Sequence, residues 1–167
     1  MIKTKKYSAQ EIAKIVGGKL IGENKIIDKI STDTREETLD NSCFFALKGE
    51  NYNAEDFVPL AQEKGANIIV STAKSNADST IIVEDVKQAF LSLAKHNKGR
   101  TKVIGITGSN GKTTVKEMLK SILSKQYKIT ATKDNHNNEI GVAETLLSIT
   151  DEDFCIVEMG MRGLGEI

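Results

Sequence analysis

The stretch Val103-Ile104-Gly105-Ile106-Thr107-Gly108-Ser109-Asn110-Gly111-Lys112-Thr113-Thr114 constrains the fold more than any other part of this chain. A β-branched run leads into a glycine-containing loop, then Gly-Lys-Thr-Thr, then apolar residues at helical spacing. The order is strand, phosphate loop, helix. Gly108 and Gly111 permit tight bends that close backbone N–H groups on phosphate oxygens. The helix N-terminus adds its dipole and uncapped donors. Lys112 brings a positive charge to β- and γ-phosphates, and the Thr113 hydroxyl suits Mg²⁺. Gly108, Ser109, Asn110, Gly111, Lys112, Thr113 and Thr114 are therefore the expected ATP-binding residues. The spacing departs from the general G-x-x-x-x-G-K-[ST] pattern, because Ile106 stands where that pattern has its first glycine. Val115, Met118, Leu119, Ile122 and Leu123 are expected to face inward.

The rest of the 167 residues alternates helices with short strands, the α/β pattern. Ser8-Ala9-Gln10-Glu11 is a capping box for a helix that Gly17-Gly18 ends. Extended stretches follow at Lys19 to Ile21 and Lys25 to Ile30. Cys43-Phe44-Phe45-Ala46-Leu47 is a continuous apolar run, suited to a strand covered on both faces. A helix capped by Asn53 is expected to begin near Asp56 or Phe57, with Pro59 in its first turn. Strands are expected at Asn67–Val70 and Thr80–Val83, and a helix capped by Asp85 from Val86 to about His96. The polar Asn97-Lys98-Gly99-Arg100 marks a domain boundary, giving domains 1–98 and 99–167. The second domain is expected to hold strands at 102–107, 127–132 and 154–159 and helices at 112–125 and 138–149. Its few strands would leave a parallel edge and apolar faces uncovered, so the chain reads as a piece of a longer protein.

Charge balance excludes one class of function. Lys+Arg and Asp+Glu are both 23, with no basic excess to hold nucleic acid. No run is long and apolar enough to span a membrane, and the N-terminus has no signal-peptide core. Cys43 and Cys155 lie in separate apolar runs and are expected to be buried, reduced thiols of a cytoplasmic protein.

A second site element is Phe154-Cys155-Ile156-Val157-Glu158. An apolar strand ending in an acid, next after the loop unit, puts Glu158 at a strand C-terminus, where parallel sheets bind ligands. Thr113 and Glu158 are thus the candidate Mg²⁺ ligands. On these residues alone, a phosphotransferase, a hydrolase and a non-catalytic nucleotide-binding module all remain open.

The loop Thr107 to Thr114 resembles the ATP loop of the Mur ligase family. Three further segments resemble the same family: Ser31-Thr32-Asp33-Thr34-Arg35 with Cys43 to Gly49, Asn135-His136-Asn137-Asn138-Glu139-Ile140-Gly141, and Glu158-Met159-Gly160 with Gly165-Glu166-Ile167. The last is similar to the branch that adds D-alanyl-D-alanine. The resemblance implies a small N-terminal α/β UDP-binding domain followed by the first part of a parallel-sheet P-loop ATP-binding domain. It implies an ATP-dependent amide ligase of peptidoglycan precursor synthesis, using ATP, Mg²⁺, UDP-N-acetylmuramoyl-tripeptide and D-alanyl-D-alanine. Lys112, Asn138 and Glu158 would be catalytic. Ser31, Asp33, Arg35, Lys48, Gly49, Asn137 and Asn138 would meet the UDP-muramoyl-peptide. An alternative use of Asn137 is as the cap of the following helix. Asn41 stands where the family usually has glycine, and asparagine tolerates the left-handed backbone such a turn needs. Glu55 replaces a family histidine and would repel a phosphate there. The family's later lysine, histidine and C-terminal domain have no counterpart up to Ile167, so these 167 residues alone are not expected to ligate.

Overall fold

The computed structural model describes residues 1–49, 54–133 and 136–160. Asn53, Asn135 and Gly165-Glu166-Ile167, to which the sequence assigned roles, lie outside them. The chain divides into two compact units, Met1–His96 and Asn97–Ile167.

The first unit runs β1 (Ile2–Ser8), α1 (Ala9–Val16), β2 (Lys19–Gly22), β3 (Ile26–Ser31) and β4 (Ser42–Phe45). A 3-10 turn at Ala54–Phe57 then leads into α2 (Val58–Glu63), β5 (Ile68–Ser71), β6 (Ser79–Ile82) and α3 (Val86–Lys98). Its six-stranded sheet has the order β1-β3-β4-β5-β6-β2. The inner strands β3, β4, β5 and β6 are parallel, and β1 and β2 close the two edges antiparallel.

Local chemistry accounts for these elements. Ser8 and Glu11 form the reciprocal capping box, and Gly17 ends α1 with φ 68°. Pro59 sits in the first turn of α2, where its missing N–H costs nothing. All four residues of β4 are buried, as its apolar run implied. Side chains alternate across a strand. Phe44 therefore packs with Val58 and Ala61 of α2 and with Leu39 and Ile69. Phe45, on the opposite face, meets Phe90 of α3 edge-on with centroids 5.2 Å apart. Asn41 adopts φ 58°, the left-handed turn expected of it just before β4. β1 was not foreseen: three lysines hide its pattern, yet Thr4 and Tyr7 are buried.

The second unit contains β7 (Lys102–Ile106), α4 (Lys112–Leu123), β8 (Ile129–Ala131), α5 (Glu139–Leu147) and β9 (Phe154–Glu158). The three strands are parallel in the order β7-β9-β8, so the last strand is central. Cys155 and Val157 of β9 pack with Val142 and Leu146 of α5. Strand alternation turns Ile156 and Glu158 to the other face, toward α4.

One expectation for α4 is corrected. Val115, Met118 and Ile122 are 45%, 62% and 63% exposed rather than inward, while Lys116 is 2% exposed. Successive helical residues are about 100° apart, so the stripes 115/118/122 and 116/119/123 cannot both meet one small sheet. The second stripe does. Asn97 is not a loose connector: it is fully buried, and its side-chain amide donates to the carbonyls of Leu146, Leu147 and Ile149 at 2.8, 3.0 and 2.9 Å. It thereby serves carbonyls at and just beyond the C-terminal end of α5. Among the described residues, no helix is long and apolar enough to cross a membrane.

Candidate functional site

In the second unit, the site grows from the C-terminal ends of β7 and β9. Gly108 (φ 146°) and Gly111 (φ 77°) bend the loop after β7 through backbone that side chains rarely adopt. Gly111 is the N-cap of α4 and brings no side chain to it, so the first N–H groups of the helix are left for a ligand. The Lys112 ammonium folds back onto the Gly108 carbonyl at 2.7 Å, which holds its charge over the loop. Ser109, Asn110 and Thr114 are exposed on the same loop and turn.

Glu158 ends β9 and is 2% exposed. The Thr113 hydroxyl donates to its Oε2 at 3.0 Å, and the Asn137 amide approaches Oε1 at 3.4 Å. Its backbone N–H donates to Thr132 Oγ1 at 3.0 Å. The two candidate metal ligands, far apart in sequence, thus touch beside the loop. A hydroxyl and a carboxylate are hard oxygen donors. Such a pair suits Mg²⁺, which takes one or two protein oxygens and completes its shell with phosphate and water. No cluster of three or more His, Cys, Asp or Glu side chains that could hold a metal by themselves occurs among the described residues.

Asn137 and Asn138 divide their work differently from the reading of Asn137 as a helix cap. Asn138 is the N-cap of α5, its Oδ1 accepting from Gly141 N–H at 2.8 Å. Asn137 faces Glu158 and also receives the Gly160 N–H on its carbonyl at 2.7 Å. His136 pairs with Glu144 at 3.0 Å, away from these groups.

Two contributors were missed in the sequence. Lys116 lies buried behind Glu158, with Nζ 3.0 Å from the Thr132 carbonyl and 3.7 Å from Glu158 Oε2. Gly141 lies under the 136–138 loop, where an added Cβ would stand 2.3 Å from the His136 carbonyl oxygen. The Gly141 signal was present as a glycine inside a helix. A lysine on a helix carries no such signal.

The first unit gathers Ser31, Asp33 and Arg35 at the C-terminal end of β3. The Ser31 hydroxyl donates to the Asp33 carbonyl at 2.9 Å. The Asp33 carboxylate accepts from Arg35 Nε at 2.8 Å and Nη2 at 2.5 Å. The Arg35 guanidinium, through these hydrogen bonds, holds the Asp33 carboxyl below the usual carboxylate range, and partial burial opposes it. The Arg35 side chain is otherwise exposed. Lys64, which the sequence did not single out, donates to the Thr34 and Glu36 carbonyls at 2.9 and 2.8 Å and so braces this turn. Lys48 is exposed and Gly49 half-buried after β4. Glu55 does not stand as a bare charge: it accepts from Thr72 N–H and the Thr72 hydroxyl at 2.7 and 2.9 Å. Cys43 and Cys155 are buried free thiols. Burial pushes Cys43 up strongly and Cys155 up to about 12.

Residues 106–166 match the Mur ligase middle domain. The chain is 40% identical over 97% of its length to the UDP-N-acetylmuramoyl-tripeptide--D-alanyl-D-alanine ligase of Haemophilus influenzae, and covers 37% of that protein. It is 38% identical to the enzyme of the same name from Escherichia coli, over 94% of this chain and 35% of the relative. Among solved structures, MurF from Acinetobacter baumannii superposes with a TM-score of 0.90 at 31% identity, over 99% of this chain and 38% of that one. MurF ligase from Thermotoga maritima in complex with ADP gives 0.71 at 30% identity, over 78% and 31%. The chain spans little more than a third of the curated relatives it matches.

Proposed function

For a chain homologous to the N-terminal portion of the D-alanyl-D-alanine-adding members of the Mur ligase family, we propose that it binds UDP-N-acetylmuramoyl-tripeptide through its first unit and the ATP phosphates through its second. We propose further that it does so as part of a cytoplasmic ligase that joins D-alanyl-D-alanine to that tripeptide. The observation that carries the reading is the contact of the Thr113 hydroxyl with the buried Glu158 carboxylate at 3.0 Å, beside a glycine loop whose helix has no side-chain cap.

In this reaction the tripeptide carboxylate attacks the γ-phosphorus, ADP leaves, and the dipeptide amine then displaces phosphate from the acyl phosphate. Thr113 and Glu158 would hold Mg²⁺, which would supply charge neutralisation on the transferring group. The chain's own groups do the rest of the positioning. The open N–H groups of α4 and the loop gather the phosphate oxygens. Lys112 exchanges the Gly108 carbonyl for a phosphate oxygen and offsets negative charge there. Asn137 and Asn138 stand next to Glu158 and the α5 N-terminus, and would orient the γ-phosphate and the muramoyl substrate. In the first unit, Arg35 and Lys48 would meet the diphosphate of UDP, with Ser31 and Asp33 around the nucleoside and Gly49 also meeting the substrate. Asp33 fixes the direction of the Arg35 fork while leaving the side chain exposed.

Calorimetric titration of the 167-residue chain tests both halves. Mg·ADP is expected to bind the wild type and to be lost in Lys112→Ala. UDP-N-acetylmuramoyl-tripeptide is expected to bind the wild type and to weaken about tenfold or more in Arg35→Ala, the usual cost of a lost charged hydrogen bond. Amide product from these 167 residues alone is not expected. No heat with either wild-type titration would defeat the reading.

A further inference from the structure

We infer that Lys116 is a positioning residue for Glu158, holding the carboxylate aimed at the phosphate loop without occupying it. The inference rests on the phosphate-loop reading above. Lys116 lies on a helix whose neighbouring positions Val115 and Glu117 are exposed, yet it is itself 2% exposed. Burying an ammonium is costly unless the charge is paired and its protons are taken up. Here both conditions are met. Nζ donates to the Thr132 carbonyl at 3.0 Å and stands 3.7 Å from Glu158 Oε2 and 3.4 Å from Glu117 Oε1. Glu117 is 56% exposed, so water screens that pair and the buried Glu158 is the partner that needs the charge.

The distances decide the kind of role. At 3.7 Å the ammonium acts on Glu158 through its field and not through a short hydrogen bond. The lone pairs of Oε2 remain for the Thr113 hydroxyl, which donates at 3.0 Å, and for a cation. The direct bond of Lys116 goes instead to Thr132. That residue accepts the Glu158 backbone N–H on its hydroxyl at 3.0 Å and donates its own N–H to the Ile156 carbonyl at 2.9 Å. Lys116 thus fixes Glu158 twice, by charge at the carboxylate and through Thr132 at the end of β9. Neither action requires contact with nucleotide.

The test is the Mg²⁺-dependent part of ADP affinity in the 167-residue chain, measured by calorimetry with Mg²⁺ and with chelator. Lys116→Gln keeps a donor for the Thr132 carbonyl and removes the charge. It is expected to lower the Mg²⁺-dependent increment about tenfold while changing the metal-free affinity less than about twofold. Lys116→Arg, which keeps the charge, is expected to retain the increment. Adding Lys116→Gln to Glu158→Gln is expected to cost nothing further, because the two substitutions remove one interaction. A merely structural lysine would instead lower both affinities by the same factor, or add to Glu158→Gln, and either result overturns the inference. If Lys116→Gln does not fold, the Arg variant decides: a folded Arg variant without the increment also overturns it. A wild-type chain with no Mg²⁺-dependent affinity refutes the phosphate-loop reading itself. A wild-type increment left intact in Lys116→Gln refutes only the role of Lys116.

Discussion

Gly141→Ala sets two known effects against each other, and the geometry decides between them. In the interior of a helix, alanine is favoured over glycine by about 1 kcal/mol. Gly141 lies in α5. On propensity alone the substitution stabilises. The added Cβ, however, would lie 2.3 Å from the His136 carbonyl oxygen and 2.6 Å from its carbonyl carbon. These are backbone atoms, which cannot swing aside as a long side chain can. Forcing a methyl into a packed position costs about 1–3 kcal/mol. The 136–138 loop is moreover tied down, through the Asn137 carbonyl that receives the Gly160 N–H at 2.7 Å and the Asn138 cap on Gly141 at 2.8 Å. Because that loop is tied down, the cost falls in the upper part of this range, about 2–3 kcal/mol, and the net expectation is a loss of about 1–2 kcal/mol in the second unit. With a urea slope of about 1 kcal/mol/M for a unit of this size, its midpoint falls by about 1–2 M. Urea titration followed by amide spectra reads this directly at Thr145 and Val157, with resonances of the first unit as internal control. The Asn137 side-chain amide shifts in the same spectra, because its approach to Glu158 is set by that loop. A midpoint that stays or rises would refute the claim that glycine is held here by close backbone approach.

Two other expectations follow from exposure and charge. Ile122 is 63% exposed, so Ile122→Ala is expected to change stability by less than about 0.5 kcal/mol, against about 2–5 kcal/mol for a buried isoleucine; a denaturation midpoint separates the two. Asp33 is held below the ordinary carboxylate range, chiefly by the Arg35 side chain. A depressed folded pKa contributes stability that is complete above the unfolded value of about 4 and is lost as pH falls through the lower folded value. Carboxyl chemical shifts of Asp33 are expected to titrate below about 4, with the Arg35 Nε–H resonance changing in step; a midpoint at or above that value would show that the fork does not form in solution.

Much of the architecture was legible because its causes are local. A strand buried on both faces announces itself as an unbroken apolar run, and Cys43 to Leu47 is one. Ser8 and Glu11 satisfy each other's donors within one turn, so the start of α1 needs no distant information. Asn41 takes φ 58°, and asparagine is among the few non-glycine residues that tolerate it. The illegible parts have non-local causes. β1 is an edge strand in which three lysines interrupt the apolar pattern, and only its pairing with β3 reveals it. The cap of α5 falls on Asn138 and not on Asn137, a one-residue difference between chemically identical candidates.

The helix after the loop carries the sharpest lesson about the site. Its sequence offers two adjacent stripes, one wholly apolar at Val115, Met118 and Ile122, the other at Lys116, Leu119 and Leu123. Hydrophobicity alone selects the first together with Leu119 and Leu123, and the structure turns the second inward, with Lys116 buried and Leu119 and Leu123 half-buried. The reason lies on β9, some forty residues later in the chain. Strand alternation turns Cys155 and Val157 toward α5 and leaves Glu158 on the α4 side, where it is buried. A buried carboxylate needs a cation and a donor beside it. α4 supplies both from Lys116 and Thr113, three residues apart on one helical face. The buried carboxylate thus requires Lys116 and Thr113 on the inward side of α4, while Val115, Met118 and Ile122 stay exposed in this portion of the chain. By the same argument, a Glu158→Leu substitution would remove that requirement, and the burial of Lys116 with it.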